Sequence, residues 1–361
     1  MTLRDIARLR LVKQQIASTT CRTPADVVAA LGAVQAQDFA GALWAVGLRF
    51  PGGTESGILQ ALAEGKIVRT WPMRGTLHFV AAEDVRWMLP LLTPRIIAGG
   101  ATRHRQLELD DVIFARSRKI FGKALQGGGQ LTRDEMYALL EGAGISTTGQ
   151  RGYHILWRLA QEGQLCFGPH SSKQATFVLL DEWVPGGRKL NHEEALAELT
   201  LRYFRGHGPA TERDFAWWAG LKISDARLGL ELVVRQLVSI RVGEEQYWMK
   251  EDSLSPGKKA AGTYLLPGFD EYILGYTDRG AAVEPEFADR IAPGSNGLFL
   301  PTIVKDGRVV GLWKRVIKKK AALVTALPFS PLNGTTQKAF ESTAKRYGQY
   351  LGLSAEVHFE E

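Results

Sequence analysis

Cysteine is scarce in this chain. The two cysteines among 361 residues, Cys21 and Cys166, lie far apart, with no Cys-x-x-Cys and no Cys/His cluster around them. That excludes a disulfide framework and supplies no ligand set for zinc. A reducing cytoplasm is the expected compartment, with no metal and no cofactor. Long apolar runs are lacking as well. No stretch approaches the ~18 uninterrupted apolar residues that suggest a membrane helix, and Met1-Thr2-Leu3-Arg4-Asp5-Ile6 holds no apolar signal core. A soluble protein with no membrane partner is expected. Nothing resembles a heptad or another dimerisation stripe, so the expectation is a monomer with no obligate protein partner. Acidic residues are in the minority, 38 Asp and Glu against 45 Lys and Arg, for a net charge of +7. That balance favours an anionic partner and says nothing about fold.

What is present is a repeat. Three segments open alike: Thr23-Pro24-Ala25-Asp26, Thr132-Arg133-Asp134-Glu135 and Thr211-Glu212-Arg213-Asp214. Each sets a threonine three residues before a carboxylate, ahead of an apolar helical run. The threonine oxygen can take an orphan N–H of the helix start, and the acid sits against the positive end of the helix dipole. A second helical stretch follows each opening, and its end also recurs, as Leu62-Ala63-Glu64-Gly65-Lys66-Ile67-Val68, Leu159-Ala160-Gln161-Glu162-Gly163-Gln164-Leu165-Cys166 and, more loosely, Arg235-Gln236-Leu237-Val238-Ser239-Ile240. Capped helix, helix and hairpin is the order of a winged helix. Three in tandem point to nucleic acid before any other partner.

With 361 residues, 45% of them hydrophobic, the chain is long enough for more than one core. The first unit is placed at residues 1–92, with Ile6, Leu9, Val12 and Ile16 at helical spacing, Val27, Leu31 and Val34 on a second stripe, and a wing over 67–80. A basic connector spans 93–110. The second unit covers 111–185, with its wing at 164–168 and 175–180. The third covers 190–252, with its wing at 239–242 and 246–250. After a linker at 255–259, short runs at 263–266, 272–276, 297–304, 308–314 and 322–326 suggest a mostly β domain over 258–361, a small barrel or curved sheet, closed by a helix at 337–352. The fold class expected is α+β.

The sharpest local feature is Val34-Gln35-Ala36-Gln37-Asp38. Residues i and i+2 point about 200° apart on a helix but to one side of an extended segment. Glutamine by itself is more often a solvated or capping side chain than a catalyst. Two further strings stand out: Trp71-Pro72-Met73-Arg74-Gly75-Thr76-Leu77-His78, and Leu266-Pro267-Gly268-Phe269-Asp270-Glu271-Tyr272 with Gly275-Tyr276-Thr277-Asp278-Arg279. On these residues the chain resembles the AlkZ/YcaQ-like winged-helix DNA glycosylases, over nearly its whole length. The resemblance implies hydrolysis of the N-glycosidic bond of alkylated purines in double-stranded DNA; no lysine is placed by the motif to form a Schiff base, so linked strand cleavage is not expected. In the AlkZ branch the pair is Gln-x-Gln and in the YcaQ branch the second position is Asp, so Gln37 puts this chain with the first. Gln35 and Gln37 are then the implied catalytic residues. Asp38 lies beside the motif, and a shifted alignment would make it the acid.

Around that pair, His78 is either a lesion or sugar contact or a packed histidine bonded to backbone. Asp270 and Glu271 are either a charge near the active site or a turn contact. Arg69, Arg74, Arg95, Arg103 and Arg105, with Lys314, Arg315, Lys318, Lys319 and Lys320, form the expected phosphate track. N7- or N3-alkylated purines, bulky adducts and interstrand crosslinks all stay open as substrates. So do a winged-helix regulator or repair scaffold without catalysis, and a carboxylate enzyme using Asp38 or Asp270.

Overall fold

The structure, a computed structural model, describes residues 1–171, 174–251, 260–295 and 297–360; the expected linker at 255–259 lies outside them. Two compact units share the chain, Leu59–Leu196 and the combination of Met1–Ile58 with Ala197–Glu361.

The threonine–carboxylate signature does what its chemistry requires. The Thr23 hydroxyl accepts from the Asp26 amide at 3.2 Å, while the Asp26 carboxylate accepts from the Thr23 amide at 2.9 Å. These reciprocal bonds start helix Pro24–Leu31, and Pro24, which has no N–H to satisfy, opens it. Thr132 with Glu135 and Thr211 with Asp214 make the same reciprocal pairs at the heads of helices Arg133–Gly142 and Glu212–Ala219. A further box, Thr2 with Asp5, opens helix Leu3–Lys13, a start that the repeat did not single out.

In the unit Leu59–Leu196 the hairpin Ile67–Met73 and Thr76–Ala81 extends into Leu165–Ser171, Gln174–Leu179 and the short Leu131–Thr132. Its tip is Arg74-Gly75, both at positive φ (53° and 71°), the backbone of a two-residue hairpin turn whose twist matches its strands. Helices Asp111–Leu125, Arg133–Gly142 and Arg151–Gln161 bury Phe121, Leu125, Met136, Leu140, Ile155 and Leu159 together with Phe177 of the sheet. Residues 93–110 are helical over most of their length, in Ala82–Gly99 and Ala101–Gln106.

In the other unit helix Ile223–Val233 leads into the hairpin Leu237–Val242 and Glu245–Lys250. A five-stranded sheet follows, in the order Ser354–Phe359, Ala321–Pro328, Arg308–Ile317, Thr302–Lys305, Thr263–Leu266. The β character expected of the C-terminal domain is therefore found, and helix Gly334–Leu351 closes it. Two details differ from expectation. Residues 272–276 are not a strand: Asp270 accepts from the Tyr272 amide at 2.9 Å and starts the helical turn Glu271–Leu274. The sheet also gains Ser354–Phe359, which pairs parallel to Ala321–Pro328.

Helix Phe39–Gly47 is fixed within the same unit by large contacts. Trp44 is buried, donates its indole N–H to Leu265 O at 2.7 Å, and meets the rings of Tyr347 and Tyr350 at centroid distances of 5.0 and 4.9 Å. At Gly47 an added Cβ would lie 2.6 Å from the Tyr350 ring, so only glycine lets the two helices approach this closely.

Candidate active site

The segment between helices Pro24–Leu31 and Phe39–Gly47 is extended, with a short strand at Val34–Gln35, and it carries the glutamine pair to one side. The Gln35 side chain is buried, and Gln37 is exposed. Gln35 Oε1 accepts from the Gln37 amide at 3.1 Å, and Gln35 Nε2 donates to Gln37 Oε1 at 3.4 Å. This short ring of contacts fixes which end of the Gln35 amide faces its neighbour. It leaves the exposed Gln37 carboxamide with a second lone pair on Oε1 and its own two N–H donors for chemistry at the surface.

Asp38 has a structural post. It is the N-cap of helix Phe39–Gly47, accepting from the Gly41 amide at 3.1 Å. Beneath the glutamines sits the carboxylate pair. Glu271 Oε1 accepts from the main-chain N–H of Gln35 at 3.1 Å, and Oε2 accepts from the Trp218 indole at 2.9 Å and lies 3.3 Å from His207 Nε2. Asp270 is buried in a two-toothed ion pair with Arg49, at 2.7 and 2.9 Å. Arg49 is fully enclosed. It also donates to Ala45 O, Gln14 O and Gln14 Oε1, which uses the five N–H donors a guanidinium owns. Gln14 returns to the turn, donating to Glu271 O at 3.1 Å and the Tyr276 hydroxyl at 3.0 Å. In the neighbouring string Tyr276 donates to His207 O at 2.6 Å, and Thr277 donates through its amide and hydroxyl to buried Asp214, the acid of the third capping box.

Arg49, Gln14 and His207 were not singled out in the sequence, and Trp218 reads there only as buried bulk of its helix. Arg49 is 221 residues from Asp270, and Trp218 is 53 from Glu271. No local spacing reports such a pairing.

His78 is fully buried in the unit Leu59–Leu196. Its Nδ1 lies 2.9 Å from Thr76 O, so Nδ1 carries the proton and Nε2 accepts from Arg74 at 3.2 Å. His78 is thus buried and bonded to backbone, and Arg74 is brought to it by the hairpin tip. Arg69 is half-buried with its guanidinium 4.9 Å over the Phe167 ring. Arg95, Arg103 and Arg105 are exposed on helices Ala82–Gly99 and Ala101–Gln106. In the other unit Lys314 is exposed and pairs with Glu360, and Lys318 pairs with Glu356 at 2.7 Å. Arg315 lies 5.8 Å over Trp313, and Lys319 and Lys320 are exposed at the turn into Ala321–Pro328.

Comparison with known proteins gives this geometry a context. A family model described as DNA glycosylase AlkZ-like matches residues 28–350. The interstrand DNA cross-link repair glycosylase of Streptomyces sahachiroi is 27% identical over 97% of each chain. The solved structure of Streptomyces sahachiroi DNA glycosylase AlkZ superposes with a TM-score of 0.81 at 25% identity, covering 100% of both chains. The glutamine pair, the carboxylate turn beneath it and four of the five strands of the C-terminal sheet fall within the matched span, and the chain belongs to the AlkZ-like DNA glycosylase family.

Proposed function

We propose that this glycosylase releases N7- or N3-alkylated purines from double-stranded DNA, with Gln37 positioning the attacking water and Gln35 holding Gln37. The observation that carries the reading is the contact between the two carboxamides, one buried and clamped, the other exposed.

The chemistry asks little of a base. A purine alkylated at N7 is cationic and leaves as a neutral base when C1′–N9 breaks. The sugar then approaches an oxocarbenium ion, which is stabilised by preorganised acceptors. Gln37 Oε1 accepts a hydrogen bond from water, orients its oxygen toward C1′, and lets the released proton pass to solvent. Neutral amides give no strong driving force, so unmodified guanine is spared. No lysine is placed by the motif to form a Schiff base, and strand cleavage is not part of the reaction. The relative's printed name supports crosslinked DNA as a substrate of this chain too.

The three capped-helix segments act as winged helices on duplex DNA, as a monomer. Arg69, Arg74, Arg95, Arg103, Arg105, Lys314, Arg315, Lys318, Lys319 and Lys320 grip phosphates. The exposed Lys318–Glu356 pair does not argue against that role, because solvent-exposed ion pairs contribute little and yield to a phosphate. Incubation with a duplex carrying one 7-methylguanine is expected to yield the free base and an alkali-labile abasic site. Tight binding without either product on this duplex and on a crosslinked one would instead identify a binding protein without turnover.

A further inference from the structure

Resting on the reading of the glutamine pair, we infer that Glu271 is a positioning residue of the reaction. It holds the catalytic segment by its main chain and touches no substrate. Three observations converge. The carboxylate is 1% exposed, so neither water nor a sugar reaches it. Its oxygens face N–H groups from three separate places in the chain: Gln35 N at 3.1 Å, Trp218 Nε1 at 2.9 Å and His207 Nε2 at 3.3 Å. And the strand it holds, Val34–Gln35, is two residues long, so bonds from outside must fix it.

A buried carboxylate is expensive unless its oxygens are satisfied by donors. Here the donors also aim it. Trp218 and His207 are both fully buried, and His207 stacks on Tyr203 at a 10° interplanar angle. They define where Oε2 sits, and the planar carboxylate then fixes where Oε1 meets the Gln35 amide. The position of Gln35 sets that of Gln37 through the contacts at 3.1 and 3.4 Å. Displacement of a positioning group by about 1 Å can lower a rate a hundredfold.

The test measures single-turnover release of 7-methylguanine and DNA affinity for the full chain, Glu271→Ala, Gln37→Ala and the double variant. Glu271→Ala is expected to slow release between about tenfold and a hundredfold with DNA affinity unchanged within about twofold. In the Gln37→Ala background it should add no further loss, because a residue acting through the pair has nothing left to position. A multiplicative further loss in the double variant would overturn the inference. So would a wild-type rate in Glu271→Ala beside an inactive Gln37→Ala. Full activity in Gln37→Ala would instead overturn the reading of the pair itself, and with it this role.

If Glu271→Ala does not fold, Glu271→Gln answers the question. A carboxamide turns an N–H toward either Gln35 or Trp218, so the single variant is expected to be slow. Glu271→Gln with Trp218→Phe removes the indole donor, and His207, its proton moved to Nδ1, can accept from the new amide at Nε2; the amide oxygen then faces Gln35, and release should return to near that of Trp218→Phe alone. Absence of that rescue in a folded double variant would contradict the positioning role.

Discussion

At the scale of single residues, three adjacent polar side chains have three different duties. Gln35 is buried and clamped, Gln37 is exposed, and Asp38 starts a helix through its 3.1 Å bond from Gly41. Asparagine caps a helix about as well as aspartate. Asp38→Asn is therefore expected to release 7-methylguanine at the wild-type rate, while Asp38→Ala should cost about 1 kcal/mol of stability, read by urea denaturation. A deep loss of release in Asp38→Asn would assign Asp38 to the chemistry as its acid. The Gln-x-Gln pair was legible through the family resemblance; spacing alone showed only that an extended segment would bring the two glutamines to one side. The duties of Glu271 and Asp270 were not, since a pair of carboxylates reads the same whether it faces substrate or a buried arginine.

At the scale of elements, what was legible was what is local. The capping boxes are reciprocal bonds over three residues, and they appear wherever the sequence placed them. The hairpins at 67–81 and 237–250 were recognisable from their paired apolar runs. The turn at Glu271–Leu274 was misread because Tyr272, Ile273 and Leu274 are as apolar as a strand, and the deciding bond is one side-chain oxygen of Asp270 on one amide. Strand Ser354–Phe359 was missed because its residues alternate between exposed and half-buried, a weak pattern for an edge. Packing between elements was invisible, and Gly47 shows why. Its need for hydrogen in place of a side chain comes from Tyr350, some 300 residues away in sequence. Gly47→Val is expected to destabilise the fold by roughly 1–3 kcal/mol through overpacking, seen as a lower urea midpoint. An unchanged midpoint would show that the two helices have room to separate.

At the scale of the whole molecule, the chain carries a net charge of +7, and among the described residues no helix is long and apolar enough to cross a membrane. Its likeness to the family spans almost its full length, so the activity class belongs to the chain rather than to one segment of it. If about six phosphates are neutralised by the proposed basic residues, the logarithm of DNA affinity should fall against the logarithm of salt concentration with a slope of about −5. Binding titrations across salt concentrations check this, and a flat dependence would show that these residues do not grip phosphates.

Whether a pair of neutral amides carries the reaction is decided by single-turnover release of 7-methylguanine from a duplex by the wild-type protein and by folded Gln37→Ala, with DNA affinity measured in parallel. If the amides carry it, the wild type releases the base and Gln37→Ala loses about a hundredfold or more of the rate, with affinity unchanged. Equal release by both proteins would contradict that role of the amides.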